Sequence, residues 1–300
     1  MFPLPHILLL DGATGTELNR RGVDTGLPLW SANALLTDEG SRVLQQIHED
    51  YLRAGADILT ANTFRTHRRA LAPSGNAGRA LELTRRAVDI ARQAVAALPS
   101  ATTRCVAGSI STLEDCYRPD LVPSDDELRA EHSERVQHLL ECGVDVFLIE
   151  TINSIREASI IAKLAVITGT PVIVSFVCNR EGKILSGESL SDAARELLPL
   201  GIAAIGVNCG PTPNLAKPLA ELQSACPQDF PLIAYGNIGY ADEAVGWVNT
   251  DAEKPAAYCA HAVRWPAQII GGCCGTTPAH IAQLNEMLRG KNPSQSVASK

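Results

Sequence analysis

The chain has 300 residues, of which 45% are hydrophobic and 20% are charged. This composition is typical of a globular protein and excludes a disordered or fibrous chain. The formal net charge is -7 and no basic run is interleaved with aromatic residues, so we expect no nucleic-acid partner.

The first ten residues are apolar but contain no lysine or arginine, and they lead directly into Asp11. A secretory signal peptide would need a positively charged start, a longer apolar stretch and a cleavage site. No later apolar run approaches the ~20 residues of a membrane span. The 9 cysteines are odd in number and scattered, unlike the disulfide framework of a small secreted domain. We therefore expect a cytoplasmic protein with no membrane partner.

Short aliphatic runs alternate with longer amphipathic segments along the chain. The runs predicted as strands are Ile7–Leu10, Ile58–Thr60, Val106–Gly108, Val146–Ile149, Val172–Val177, Ala204–Val207, Leu232–Ala234 and Gln268–Ile270. The segments predicted as helices are Arg42–Ala54, Arg79–Ala97, Asp126–Cys142, Ser154–Thr168, Asp192–Leu200, Asn214–Ala225, Pro255–Ala262 and Pro278–Leu288. Runs that are apolar throughout are typical of parallel strands buried on both faces of a sheet.

Strand and helix alternate about eight times, which predicts an α/β fold, a single-domain (β/α)₈ barrel of the TIM type. We assign residues 1–289 to this barrel and expect residues 290–300 to form a flexible polar tail. An open doubly wound sheet is the competing architecture. The loop Gly12-Ala13-Thr14-Gly15 lacks the glycine spacing of the dinucleotide fingerprint of such sheets, which favours the barrel.

The residues that directly follow the strands of such a barrel line its active site. In this chain they are Asp11, Gly12, Ala13 and Thr14 after the first strand, Phe64 after the second, Glu150 after the fourth, Asn208 and Cys209 after the sixth, Asn237 after the seventh, and Cys273 and Cys274 after the eighth. We therefore expect a polar, thiol-rich site at one mouth of the barrel.

The adjacent pair Cys273-Cys274 is the most informative feature of that mouth. Neighbouring side chains of a regular strand point to opposite faces, so both thiols converge only in an irregular turn, which Gly272 and Gly275 permit. Together with Cys209 they would supply three thiolate ligands and leave a fourth position open, the pattern of a catalytic Zn²⁺ site. A vicinal disulfide or plain buried thiols are the alternatives. A metal at this place would deprotonate a substrate thiol and prepare it for attack.

Two carboxylates end apolar strands on the same rim. Asp11 and Glu150 would accept charge-assisted hydrogen bonds from a substrate ammonium group. The backbone N–H groups of Gly12, Ala13 and Thr14 would bind a carboxylate. Together these groups would hold an amino acid by both ends of its zwitterion. Solvated strand-end carboxylates and a simple tight turn are the alternatives.

Three motifs resemble those of the homocysteine S-methyltransferase family. They are DGATGTEL at Asp11–Leu18, GVNC at Gly206–Cys209 and GGCCGTTP at Gly271–Pro278. The resemblance extends from about Ile7 to Leu288. It implies a (β/α)₈ barrel and an enzyme that transfers a methyl group to the thiol of L-homocysteine, giving methionine. The partners would be small molecules, homocysteine and a methyl donor.

The resemblance also implies the roles of individual residues. It makes Cys209, Cys273 and Cys274 the ligands of the Zn²⁺ cofactor. It implies that Asp11 and Glu150 bind the amino group of homocysteine and that the backbone of the first loop binds its carboxylate. We add Asn208 and Asn237, which lie at the ends of the sixth and seventh strands, as candidate substrate-binding residues.

The segment Leu27–Ala32 is similar to the corresponding stretch of family members that use S-methylmethionine. Trp30 and Phe64 are candidate donor-side residues, because an aromatic face attracts a cationic methyl donor. Packing is the alternative role for both rings. We therefore expect a sulfonium donor, S-methylmethionine or S-adenosylmethionine.

Two segments near the expected donor, Gly108–Thr112 and Tyr235–Asn237, depart from the pattern of many relatives. Betaine, methylcobalamin and methylated folate therefore remain open as donors. A selenol or another thiol remains open as the acceptor. A zinc- or thiol-binding regulator without turnover is the alternative from a different functional class.

Overall fold

The computed structural model describes residues 7–100, 104–242 and 246–290. Eight parallel strands form one sheet in the order β1-β10-β7-β6-β5-β4-β3-β2. They are β1 (Leu8–Leu9), β2 (Ile58–Ala61), β3 (Cys105–Ile110), β4 (Val146–Ile152), β5 (Val172–Phe176), β6 (Ala204–Pro211), β7 (Leu232–Asn237) and β10 (Ile269–Gly272). A parallel bridge between Leu10 and Ile58 joins the two edges. The predicted single-domain (β/α)₈ barrel is thus confirmed.

Helices surround the sheet and connect its strands. They are α1 (Gly15–Arg20), α2 (Asp38–Ala54), α3 (Arg68–Leu71), α4 (Ala80–Ala97), α5 (Asp125–Glu141), α6 (Ile155–Val166), α7 (Leu190–Leu197), α8 (Ala216–Ala225), α9 (Pro255–Ala262) and α10 (Pro278–Arg289). Within the described ranges, no helix combines the length and the hydropathy that a membrane crossing requires. The predicted tail begins at residue 290, and residues 291–300 lie outside the described residues, so its boundary stays a prediction.

Local sequence signals explain where the helices begin. The Ser124 side chain accepts a hydrogen bond from the backbone of Glu127, whose carboxylate binds the Ser124 N–H in return, which forms a capping box for α5. Helix α2 begins at Asp38, four residues before its predicted start. There Thr37 caps the helix, and the acidic first turn suits the positive end of the helix dipole.

The structure contains elements that the sequence did not predict. Strands β8 (Gly239–Asp242) and β9 (Gly246–Asn249) pair antiparallel as a hairpin that follows β7. A 3₁₀ helix spans Trp30–Leu36 in the loop after β1. The hairpin strands are short and mixed in polarity, so neither shows the continuous apolar run by which the barrel strands were found.

The interior of the barrel is packed with side chains. Its members include Leu10, Ile58, Leu148, Ile233 and Ile269, all of which are buried. A larger apolar layer fills the space between the sheet and the helices. A barrel whose interior is filled with side chains carries its active site at the mouth formed by the βα loops.

Candidate functional site

The thiols of Cys209, Cys273 and Cys274 converge at the mouth of the barrel, with their sulfur atoms all within 4.8 Å of one another. The Sγ atoms of Cys209 and Cys274 lie 3.9 Å apart. Cys209 is only 8% exposed. Among the described residues this group contains three thiols and no histidine or carboxylate, a donor set that fits a soft ion such as Zn²⁺.

The backbone brings these thiols together by leaving regular strand geometry. Cys209 has a φ of 57°, in the left-handed region, and the β6–β7 register shifts beside it. Gly275 has a φ of 85°, which turns the chain directly after Cys274. The predicted irregular turn is therefore present, and a second irregularity occurs at Cys209.

Asn237 joins the two segments that carry the thiols. Its amide nitrogen donates to the carbonyl oxygen of Cys209 at 2.8 Å, and its amide oxygen accepts from the N–H of Cys274 at 3.0 Å. Both polar ends of the side chain are thus engaged within the protein. Its predicted contact with substrate remains a prediction, whereas its support of the thiol group is visible in the structure.

Hydrogen bonds among the three thiols lower the pKa of one of them and raise the pKa of the other two. Bonds from Cys273 and Cys274 lower the pKa of Cys209 well below its ordinary value. The pKa values of Cys273 and Cys274 are raised, because each bonds to Cys209 and a second negative charge beside it is unfavourable. A bound cation would favour the charged form of all three thiols.

Glu150 is buried near the thiols and held by two hydroxyl groups. Ser109 donates to its Oε1, and Tyr235 donates to its Oε2 at 2.9 Å. Burial raises the pKa of Glu150 to about 7. Within the part of the chain that the structure describes, the side-chain partners of Glu150 are these two hydroxyl groups, and no lysine, arginine or histidine pairs with it. A buried carboxyl with no cationic partner is suited to receive one.

Asp11 is buried in the same way. Its Oδ2 accepts from the N–H of Thr60 at 2.7 Å and its Oδ1 from the Thr60 hydroxyl at 2.8 Å. Burial raises its pKa to about 7, and the nearby charge of Glu150 adds to the effect. The charges of the two carboxyl groups therefore act on each other, and their joint contact with a substrate ammonium group stays a prediction.

The first loop is fixed against the loop that follows β10. The N–H of Ala13 donates to the hydroxyl of Thr276 at 3.1 Å, and its carbonyl accepts from Tyr51 at 2.9 Å. A Cβ added at Gly12 would lie 2.7 Å from the Tyr51 ring. Carboxylate binding by Gly12, Ala13 and Thr14 stays a prediction, and the N–H of Ala13 already has a partner.

Asn208 lies beneath the site with no exposed surface. Its Oδ1 accepts from the N–H of Thr151 at 3.0 Å and from the hydroxyl of Ser175 at 2.9 Å. Its Nδ2 donates to the Thr151 hydroxyl at 2.8 Å. These bonds hold Thr151 at a φ of 57°, directly after Glu150. Asn208 thus supports the rim, and its proposed contact with substrate is untested.

The two candidate donor-side rings are half-buried. Trp30 packs so closely on Gly15 that a Cβ there would lie 2.5 Å from the indole nitrogen. The carbonyl of Phe64 accepts from the Ser111 hydroxyl at 2.7 Å. Both rings therefore belong to loops that are well anchored, and their role toward a donor stays a prediction.

Three side chains contact the site in ways that the sequence did not indicate, and two of them lie in the segments expected near the donor. Ser109 and Tyr235 bind Glu150, and the Tyr117 hydroxyl lies 3.1 Å from the Cys209 sulfur. Tyr117 lies between β3 and α5, in a segment for which the sequence indicated no functional role. Its place directly after Cys116 offered no pattern that pointed to the thiols.

Comparisons with known proteins agree with this geometry. The family model described as homocysteine S-methyltransferase matches residues 8–288. The homocysteine S-methyltransferase of Escherichia coli (strain K12) is 33% identical over 303 residues, covering 93% of this chain and 94% of that protein. The homocysteine S-methyltransferase YbgG of Bacillus subtilis (strain 168) is 32% identical, covering 95% and 97%. The selenocysteine Se-methyltransferase of Brassica oleracea var. italica is 28% identical, covering 93% and 88%.

Among solved structures, the metallated form of the homocysteine methyltransferase MmuM from Escherichia coli superposes with a TM-score of 0.81 at 30% identity. The match covers 94% of this chain and 96% of that one. The oxidized form of the same enzyme gives a TM-score of 0.80. This chain is therefore an enzyme of the homocysteine S-methyltransferase family, as its motifs predicted.

Proposed function

We propose that this protein catalyses the Zn²⁺-dependent transfer of a methyl group from a sulfonium donor to the thiol of L-homocysteine, giving methionine. The donor is S-methylmethionine or S-adenosylmethionine. The observation that supports this most directly is the convergence of Cys209, Cys273 and Cys274 close to two buried carboxyl groups, Asp11 and Glu150.

In this proposal Cys209, Cys273 and Cys274 hold the ion. A free thiol with a pKa of about 8.5 is mostly protonated at neutral pH. Bound Zn²⁺ would lower the pKa of a substrate thiol, so that the thiol loses its proton at neutral pH. The three protein thiolates give the site net negative charge, which preserves the nucleophilicity of an added sulfur.

Asp11 and Glu150 orient the substrate by its ammonium group. Ser109 and Tyr235 fix the Glu150 carboxyl, and Thr60 fixes that of Asp11, so neither has to reorganise when substrate arrives. The positive charge of the ammonium favours ionisation of both carboxyl groups. The first loop, Gly12 to Thr14, receives the carboxylate of the amino acid.

The transfer itself is an in-line displacement. A lone pair of the substrate sulfur forms a bond to the methyl carbon, and the bond from that carbon to the sulfonium sulfur breaks. The electron pair of that bond neutralises the donor, which leaves as a thioether, and the thiol proton passes to solvent. Because the leaving group is neutral, no general acid is needed. Trp30 and Phe64 offer their ring faces to the donor cation.

A donor panel tests the reaction. Purified, zinc-supplied protein is incubated with homocysteine and, in turn, S-methylmethionine, S-adenosylmethionine, betaine, methylcobalamin and a methylated folate, and methionine is measured by mass spectrometry. We expect turnover with a sulfonium. Turnover with another donor alone would reject the sulfonium, and no turnover with any would reject the proposed reaction.

A substrate analogue tests the role of Glu150. The compound 4-mercaptobutyrate keeps the thiol and carboxylate of homocysteine but lacks the amino group. We expect Glu150→Gln to lower kcat/KM for homocysteine about 10- to 100-fold, the worth of a charge-assisted hydrogen bond, and to leave the rate with the analogue nearly unchanged. An equal loss with both acceptors would show that Glu150 does not bind the ammonium group.

A selenol acceptor is the second candidate. Two plant relatives that match over most of this chain are named selenocysteine methyltransferases, at 28% and 27% identity. A soft metal site accepts selenium as readily as sulfur. Comparison of kcat/KM for selenocysteine and homocysteine with the same donor decides between them, since the larger value identifies the preferred acceptor.

A further inference from the structure

Tyr117 is an exposed residue whose hydroxyl group lies inside the thiol site. It belongs to the loop between β3 and α5, and 52% of its surface is exposed. Its oxygen nevertheless lies 3.1 Å from the sulfur of Cys209. Packing does not explain this position, because an aromatic ring this exposed has little burial to gain from it. The contact between the hydroxyl and the thiol is the feature that needs an explanation.

The loop presents Tyr117 in a defined geometry. The N–H of Leu113 donates to the buried carboxylate of Glu157 at 2.9 Å, which anchors the start of the loop. A turn then forms around Asp115, whose carboxylate accepts from the N–H of Tyr117 at 2.9 Å and whose carbonyl accepts from that of Arg118 at 2.9 Å. The hydroxyl therefore reaches the sulfur from a turn that is held at both sides.

The direction of the hydrogen bond follows from the chemistry of Cys209. This inference rests on the proposed function, in which Cys209 binds the ion as a thiolate. A thiolate has no proton to donate, so the phenol is the donor. A hydrogen bond to a ligand sulfur withdraws part of the charge that the sulfur would otherwise give to the metal.

We propose that Tyr117 is a positioning residue that donates a hydrogen bond to the Cys209 thiolate and thereby limits the charge which this ligand gives to the metal. The consequence is a more electron-poor ion that holds a substrate sulfur as its anion more firmly. Tyr117 therefore acts on the acceptor thiol through Cys209, without contacting the reacting atoms.

Cobalt substitution tests this proposal without any substrate. The full-length protein is loaded with Co²⁺, and its sulfur-to-cobalt charge-transfer band is recorded for the wild type, Tyr117→Phe and Tyr240→Phe. The last variant is a matched control, because Tyr240 lies on the rim hairpin, where its ring packs against Arg180 at 5.8 Å. Zinc affinity is measured in parallel by competition with a chromophoric chelator.

We expect Tyr117→Phe to move the charge-transfer band to longer wavelength, because a sulfur without the hydrogen bond is oxidised more easily. We also expect its zinc affinity not to fall, because a Cys209 thiolate without the hydrogen bond gives its full charge to the metal. Tyr240→Phe should match the wild type in both measurements. The ring of Tyr117 is retained in Tyr117→Phe and is largely exposed, so folding should be unaffected.

Other outcomes overturn the proposal. An unshifted band in Tyr117→Phe, or an equal shift in Tyr240→Phe, would show that the Tyr117 hydroxyl does not act on the sulfur. A change confined to the ligand-field bands would indicate direct coordination of the phenol instead. If the wild type binds no Co²⁺ or Zn²⁺, the metal site of the proposed function fails as well. Binding with an unshifted band defeats this inference alone.

Discussion

The sulfur atoms of Cys209 and Cys274 lie 3.9 Å apart, although the two residues are separated by 65 positions in the chain. A disulfide needs about 2.05 Å between its sulfur atoms, so a small movement would join them. The structure thus holds two oxidisable thiols in contact across the site, one near the end of β6 and one in the loop after β10. A relative with this fold has also been solved in an oxidized form.

We therefore predict that oxidation of metal-free protein links Cys209 to Cys274. Protein treated with a chelator and then with diamide is digested, and the disulfide is located by mass spectrometry. Metal-loaded protein should resist the same treatment, because its thiolates are engaged. Cys274→Ser should abolish this product. A map dominated by a Cys273–Cys274 link would contradict the prediction.

Replacing any one of the three thiols should remove the metal. We expect Cys209→Ala, Cys273→Ala and Cys274→Ala to retain less than about one tenth of an equivalent of zinc, because two thiolates remain where three are needed. The control is Cys226→Ala, a half-buried cysteine outside the site. Zinc is measured by elemental analysis. Full zinc content in any of the three variants would exclude that residue as a ligand.

Stability should fall with rising pH because of Glu150. Burial raises its pKa to about 7 in the folded protein, whereas an unfolded chain would have about 4.3. Between these values the folded state keeps a proton that the unfolded state has lost. The stability contributed by Glu150 is therefore complete below about pH 4 and is lost as the pH rises to about 7.

Glu150→Gln isolates this effect. We compare the free energy of unfolding of the metal-free wild type with that of metal-free Glu150→Gln. The difference between the two should fall by up to about 3 kcal/mol from pH 4.5 to 7.5. Urea unfolding at several pH values measures it. Asp11→Asn should behave in the same direction, because the pKa of Asp11 is raised to about 7 by the same cause. Parallel curves for wild type and variants would refute the assignment.

The backbone at Cys209 should prefer glycine. Its φ of 57° is left-handed, where a residue with a Cβ is strained. We predict that metal-free Cys209→Gly is more stable than metal-free Cys209→Ala by about 1 kcal/mol, even though the glycine variant buries less surface than the alanine variant. Denaturant unfolding of the two variants checks this. The reverse order would show that packing of the Cβ outweighs backbone strain.

Much of the barrel could be predicted, because each strand can be recognised from the apolar residues of its own short segment. Each of the eight apolar runs coincides with an observed strand to within a few residues, since strands buried on both faces contain few polar positions. Strands β8 and β9 could not be predicted, because each has only four residues and mixes polar with apolar positions. The 3₁₀ helix Trp30–Leu36 has too few residues to show a helical period.

The candidate site also has residues that could be predicted from the sequence and contacts that could not. The convergence of Cys209, Cys273 and Cys274 could be predicted, because the ends of parallel strands meet at one mouth of a barrel and the motifs around these thiols resemble those of the family. The contacts of Tyr117 with Cys209 and of Tyr235 with Glu150 join separate loops or strands, and neither has a spacing that sequence alone reveals. Asn237 was recognised by its position, whereas its bonds to both thiol segments became visible only in three dimensions.

Strands β1 and β10 are neighbours in the barrel, although they lie at opposite ends of the chain. Asp11 follows the first of these strands and Cys273 the last. During translation, a ribosome-bound chain would therefore expose Cys209 as a lone thiol until the final strand emerges. In the proposed function, the three-thiol metal site is therefore complete only after Cys273 and Cys274 have been synthesised, and a chain that ends before β10 would lack it.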